Sequence, residues 1–157
     1  MGNKAHGLKR LLERGYRIPE TWVIPGEVFD RYQANDVSLV EELCAALERV
    51  VLPAKEYAVR SSANVEDGVD HSFAGQFKSV LRLTGVSAIV QAVWSIWATA
   101  QSPAVCTYFK ISGGRADELK MAVLVQEMVS PIASGVAFSK NPMTVSASRT
   151  PGLQQAV

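Results

Sequence analysis

Apolar residues at helical spacing open the chain: Ala5, Leu8, Leu11 and Leu12 predict a first helix, which Gly15 is placed to stop. Trp22, Val23 and Ile24, held between Pro19 and Pro25, then predict a short strand. Pro25-Gly26 starts a short helix through Phe29 and Tyr32. A clear amphipathic stripe of Leu39, Val40, Leu43, Leu47, Val50 and Val51 follows Ser38, a side chain suited to an N-cap, and Pro53 ends that helix. Residues 57–60 and 77–83 read as strands with a polar loop between them. Val86, Ile89, Val90, Val93, Ile96 and Trp97 return to helical period, with Ser87 near the start, and this places Trp94 and Trp97 in the core. Pro103 opens a further helix to Phe109, and residues 111–118 form a loop. The near-continuous apolar run 121–129 predicts a strand, and "SGVAFS" predicts another after a proline-containing turn. Helices and strands mix without a strict βαβ rhythm, so the expected class is α+β.

The 157 residues suit one domain with a real core, and 48% apolar with 20% charged residues is a globular composition. A formal net charge of +1 gives no basic surface for nucleic acid. Apolar runs are too short to cross a bilayer, and the start shows no signal-peptide pattern, so no membrane partner is expected. Cys44 and Cys106 have no CxxC spacing and read as reduced core thiols of a cytoplasmic protein. His6 and His71 lack the spacing of a zinc site.

Candidate chemistry centres on "YAVRSSANVEDGVDHSFAGQFKSVL", residues 57–81. Arg60 is expected at a strand end, where a fixed guanidinium beside the donors of Ser61 and Ser62 suits phosphate or carboxylate. The plainer alternative is an internal salt bridge to Glu66, Asp67 or Asp70. Gly75 allows close approach of backbone to a ligand, or else marks a bulge. No Walker loop and no GxGxxG occurs. Lys4 opposes the dipole of the helix it opens, which points to an anion, with a solvated terminal lysine as the alternative. Gln126 and Glu127 lie at a strand exit that can offer backbone N–H and C=O groups to a purine edge; an ordinary edge strand with an outward polar pair fits the pattern too.

Three stretches in order resemble one family. "GNKAHGLKRLLERGYRIPETWVI" is similar to the opening of the nucleotide-binding domain of pyruvate phosphate dikinase and phosphoenolpyruvate synthase. "VRSSANVEDGVDHSFAGQF" resembles the family's arginine-serine-serine, acidic pair and "SFAGQ" run, and "MAVLVQEMVSPIASGVAFSKNP" its adenine-side strand.

The resemblance implies an ATP-grasp-like nucleotide-binding domain over residues 1–145, with its second lobe incomplete, and a motif-free tail over 146–157. It implies that Lys4 and Arg60 face ATP phosphates from one cleft, with Arg60 the one catalytic assignment. Ser72, Ala74 and Gly75 would fold over the phosphates, and Gln126, Glu127 and Val129 would border adenine and ribose. The loop 62–76 is expected to be mobile without nucleotide. His71 stands where the family has a small residue, so it is not read as the phosphorylated histidine. The implied function is the ATP-binding portion of a phosphotransferase that moves phosphate from ATP to a carrier histidine, then to pyruvate or a similar acceptor. Antibiotic-phosphorylating relatives share the motifs, so the acceptor stays open. In the complete enzyme Mg2+ would assist, and the partners would be a second lobe and a swivelling histidine domain. On this reading the chain is a piece of a larger enzyme. It transfers no phosphate by itself and tends to self-associate through apolar surface. The competing reading is a non-catalytic nucleotide-binding or interaction module derived from that fold.

Overall fold

The computed structural model describes residues 2–63, 79–103, 105–107, 119–138 and 152–155. Helix α1 spans Asn3–Glu13 and stops where Gly15 takes a left-handed conformation, φ 79°. Strand β1, Thr21–Ile24, leads through Pro25 into helix α2, Gly26–Gln33, and helix α3 follows at Leu39–Glu48. Strand β2 is Tyr57–Ala63, strand β3 is Ser79–Leu83 and helix α4 is Val86–Ala100. Strands β4, Met121–Glu127, β5, Gly135–Phe138, and β6, Gly152–Gln155, complete the order. The class is α+β, as the mixed periodicities require.

Four strands form one antiparallel sheet in the order β1-β4-β2-β3, and β5 pairs with β6 in a separate hairpin. Side chains alternate between faces along each strand. Tyr57, Val59, Ala63, Val123 and Val125 face the main core, where they meet Phe29 from α2, Leu43 and Leu47 from α3, and Ile89, Val93, Ile96 and Trp97 from α4. Ala58, Arg60, Ser62, Leu124 and Gln126 fall on the opposite face by the same alternation and register. Trp97 anchors the first face: it is fully buried, its Nε1–H donates to the Met121 carbonyl at 3.1 Å, and its ring lies 6.1 Å from Phe29 and 5.1 Å from Tyr32.

Several expectations need correction. β2 does not end at Arg60 but continues through Ser61, Ser62 and Ala63, all fully buried and paired with β4. A buried hydroxyl must find a partner, and Ser62 Oγ accepts the Ala5 N–H of α1 at 3.2 Å. Positions 62 and 63 of the expected loop therefore belong to β2, and positions 64–76 lie outside the described residues. β4 is no edge strand: it lies between β1 and β2, with Met121–Val125 buried on both faces. Cys44 and Cys106 are free thiols but half-buried, and Trp94 is half-buried at the core's margin. Of the helix expected at 103–109, positions 103 and 105–107 are helical; the rest, like 111–118, lies outside the described residues.

Ser38 does not cap α3 by its side chain either, because it is already helical at φ −78°, ψ −16°. Asp36 takes that part: its Oδ1 accepts the Ser38 N–H at 3.0 Å and the Ser38 hydroxyl at 2.8 Å. Arg31 of α2 then clamps the turn, reaching Asp36 at 2.8 Å and both oxygens of Glu42 at 2.8 and 2.9 Å. The guanidinium holds the Glu42 carboxyl down at about 2 from an ordinary 4.5, and it lowers Asp36 as well. Folded-state values below the unfolded ones mean stability that is fully present above the unfolded range and lost as pH falls through the folded one. Arg31→Ala is thus expected to lower the melting temperature at neutral pH. Its deficit against the parent should shrink as pH falls from 4.5 toward 2. A deficit independent of pH would show that the clamp acts through packing alone.

Candidate functional site

The face of the sheet opposite the helical core carries a cleft of about 350 Å³. Arg60 and Ser79 meet there as a cross-strand pair of β2 and β3, with Ala58 and Leu81 beside them. The exit of β4 supplies Gln126, Glu127, Met128 and Val129, and Pro19 closes the side next to β1. Arg60, Gln126, Glu127 and Val129, four residues singled out in the sequence, thus share one cleft.

Gln126 is the fixed point of this wall. It is 7% exposed, and its Oε1 accepts from Arg60 Nη1 at 3.2 Å while its Nε2 donates to Thr21 Oγ1 at 2.8 Å. The Thr21 hydroxyl in turn donates to the Pro19 carbonyl at 2.7 Å. Arg60 is half-buried, and among the described residues its partner is this neutral amide, with no carboxylate in ion-pair reach. The alternative partners Glu66, Asp67 and Asp70 lie outside the described residues. A guanidinium held in place by a neutral amide is suited to an anionic group.

The strand exit behaves differently from its sequence pattern. Glu127 turns its carboxylate to Lys55 at 2.8 Å, and that bond raises the lysine's pKa. The Glu127 N–H donates to the Glu20 carbonyl at 2.8 Å and the Met128 N–H to the Glu56 carbonyl at 2.9 Å. Among the described residues no hydrogen bond takes up the N–H of Val129, whose side chain is exposed.

Lys4 does not line the cleft. It sits in the first turn of α1, whose start abuts Ser62; a Cβ on Gly2 would collide with the Ser62 carbonyl, so only glycine permits this approach. Ser62 follows Arg60 by two positions on the same face, a step of about 7 Å along a strand, so α1 delivers Lys4 to the neighbourhood of Arg60 rather than to the same wall. Ser72, Ala74 and Gly75 lie outside the described residues. Thr21, Pro19, Ala58, Ser79 and Leu81 were not foreseen. Period-two alternation from Arg60 was enough to find Ala58, whereas the others depend on strand pairing.

No group of three His, Cys, Asp or Glu side chains that could hold a metal ion occurs among the described residues. None of the described helices is long and apolar enough to cross a membrane.

An open cleft at a strand exit, with an arginine on one wall and backbone groups on the other, is a concave site of the kind that holds a small ligand. The chain belongs to the family described as pyruvate phosphate dikinase, AMP/ATP-binding domain, which matches residues 36–157. That span runs through the tail 146–157, where no motif was read and where β6 lies. The chain is 30% identical, over 92% of its length, to the prodigiosin synthesizing transferase PigC of Serratia marcescens. It is 37% identical over 76% of its length to a rifampicin phosphotransferase of Streptomyces sviceus, and 39% identical over 55% to a probable phosphoenolpyruvate synthase of Archaeoglobus fulgidus. It spans 18%, 14% and 12% of the lengths of these three relatives.

Proposed function

We propose that this chain binds ATP in the cleft over β2 and β4, as the ATP-binding portion of a dikinase-type phosphotransferase. The fold it would contribute to is ATP-grasp-like, with a second lobe completing the clasp. Arg60 would meet the phosphates. Lys4, at the positive end of α1, would add charge from the side, and Ser72, Ala74 and Gly75 would cover them. Val129 would offer its N–H to the purine edge. In an antiparallel ladder the N–H and C=O of one residue point to the same side, so the Glu127 carbonyl would lie toward β1 with its amide and complete an acceptor-donor pair for adenine. Pro19 and Val129 would give the ring apolar contact. In the complete enzyme the phosphate would pass to a carrier histidine on a swivelling domain, then to pyruvate or a similar acceptor. Mg2+ would belong to that complete site; the described residues hold no ligand cluster for it, and none of the contacts above runs through it.

The observation that carries this reading is Arg60, half-buried in a cleft and held by a neutral amide. Two-dimensional NMR of the chain titrated with ATP tests it. Shift changes should concentrate at Ala58, Arg60, Gln126 and Val129. Changes concentrated instead on α2 and α3, around Arg31 and Glu42, would place the nucleotide elsewhere and overturn the proposal.

A further inference from the structure

We infer that Thr21 is a positioning residue for Arg60, acting through Gln126; the inference rests on the nucleotide-binding reading above. One chain of hydrogen bonds links the three residues. Thr21 has a single hydroxyl proton, and the Pro19 carbonyl takes it at 2.7 Å. A carbonyl is an acceptor only, so that proton has nowhere else to go, and toward Gln126 the hydroxyl is left able only to accept. It accepts from Nε2 at 2.8 Å. The two ends of a glutamine amide differ in that one donates and the other accepts. Fixing Nε2 on Thr21 therefore fixes Oε1 on the opposite side, where it receives Arg60 Nη1 at 3.2 Å. Were the amide turned over, its N–H groups would face a guanidinium that has only donors, and the contact would be repulsive.

The relay spans three strands. Thr21 pairs with Gln126 in register across β1 and β4, and Gln126 pairs with Ala58, two positions before Arg60 on the same face of β2. Gln126 is 7% exposed, so water has little access to substitute for a missing partner. A hydroxyl at the edge strand thus sets which way an arginine on the next strand but one is held. Thr21 itself does not line the cleft and is not needed to touch the nucleotide.

Thr21→Val keeps the shape and removes the hydroxyl; Thr21→Ser restores it. Two measurements on the whole chain separate the inference from the reading beneath it. In the nucleotide-free protein, NMR should show the Gln126 side-chain amide protected from exchange in the parent and in Thr21→Ser, and unprotected in Thr21→Val. With nucleotide, Thr21→Val should weaken ATP roughly tenfold, the scale of one lost oriented hydrogen bond to a charged group, and leave adenosine within about twofold on the same scale. Thr21→Ser should match the parent in both. Equal losses for ATP and adenosine would show a merely structural hydroxyl and overturn the inference, as would an unchanged affinity for ATP. If the parent binds no ATP, the nucleotide reading falls, and the inferred role falls with it. The amide protection then reports only whether the hydrogen-bond chain exists.

Discussion

Arg60→Ala is expected to weaken ATP binding by about 1.5–3 kcal/mol, the scale of a hydrogen bond to a charged group, which is roughly ten- to a hundredfold in Kd. The loss should fall on ATP rather than adenosine, because the guanidinium belongs to the phosphate end of the cleft. Folding should be almost unaffected: Arg60 is half-exposed, and its partner among the described residues is a neutral amide, so there its removal strands no buried charge. Loss of the arginine also frees Gln126 Oε1, a modest cost that differential scanning calorimetry would register as a small shift. An unchanged ATP affinity in a well-folded Arg60→Ala protein would remove Arg60 from the site.

The largest effect on stability is expected from Trp97→Ala, at about 3–5 kcal/mol, the usual cost of emptying a fully buried aromatic position. Trp97 has no exposed surface and packs with Phe29, Tyr32 and Trp94, at ring separations of 6.1, 5.1 and 5.3 Å. Its indole N–H also ties α4 to the Met121 carbonyl at the start of β4. Truncation therefore opens a cavity and leaves that carbonyl without its side-chain donor in the same step. A domain's whole stability is typically only about 5–15 kcal/mol, so this one change threatens the fold. Urea unfolding followed by far-UV circular dichroism measures it. A cost below about 1 kcal/mol, far under the range for such a site, would mean that α4 does not hold the sheet as described.

These two residues also show what could be read from sequence and what could not. Trp97 declared itself by period, because it continues the stripe of Ile89, Val93 and Ile96, and a helix repeats its buried face locally. The same is true of α1 and α2, and of the start of α3, which ends at Glu48, short of the Val50 and Val51 that continue its stripe and of the stop expected at Pro53. Arg60 was picked out by residue type, and by resemblance, but its position was misread as a strand end. Two serines after an arginine look like a loop until their partners are known. Those partners are 57 residues away for Ser62 and 66 away for Arg60, and nothing local encodes them. The central place of β4 escaped for the same reason: its run of apolar residues is visible, whereas the order of strands is decided by pairing. The Thr21 relay to Gln126, across 105 residues, is the extreme case. At α3 the miss was smaller and local, since Asp36 and Ser38 both suit a cap and the backbone angles alone decide between them.

Whether this chain binds ATP is read by isothermal titration of the unmodified chain with ATP, with and without magnesium. Weak, saturable binding at a single site is expected, reduced at least about tenfold in Arg60→Ala by loss of the charge-assisted hydrogen bond. The absence of saturable binding at millimolar ATP, in a chain that circular dichroism shows to be folded, would contradict it.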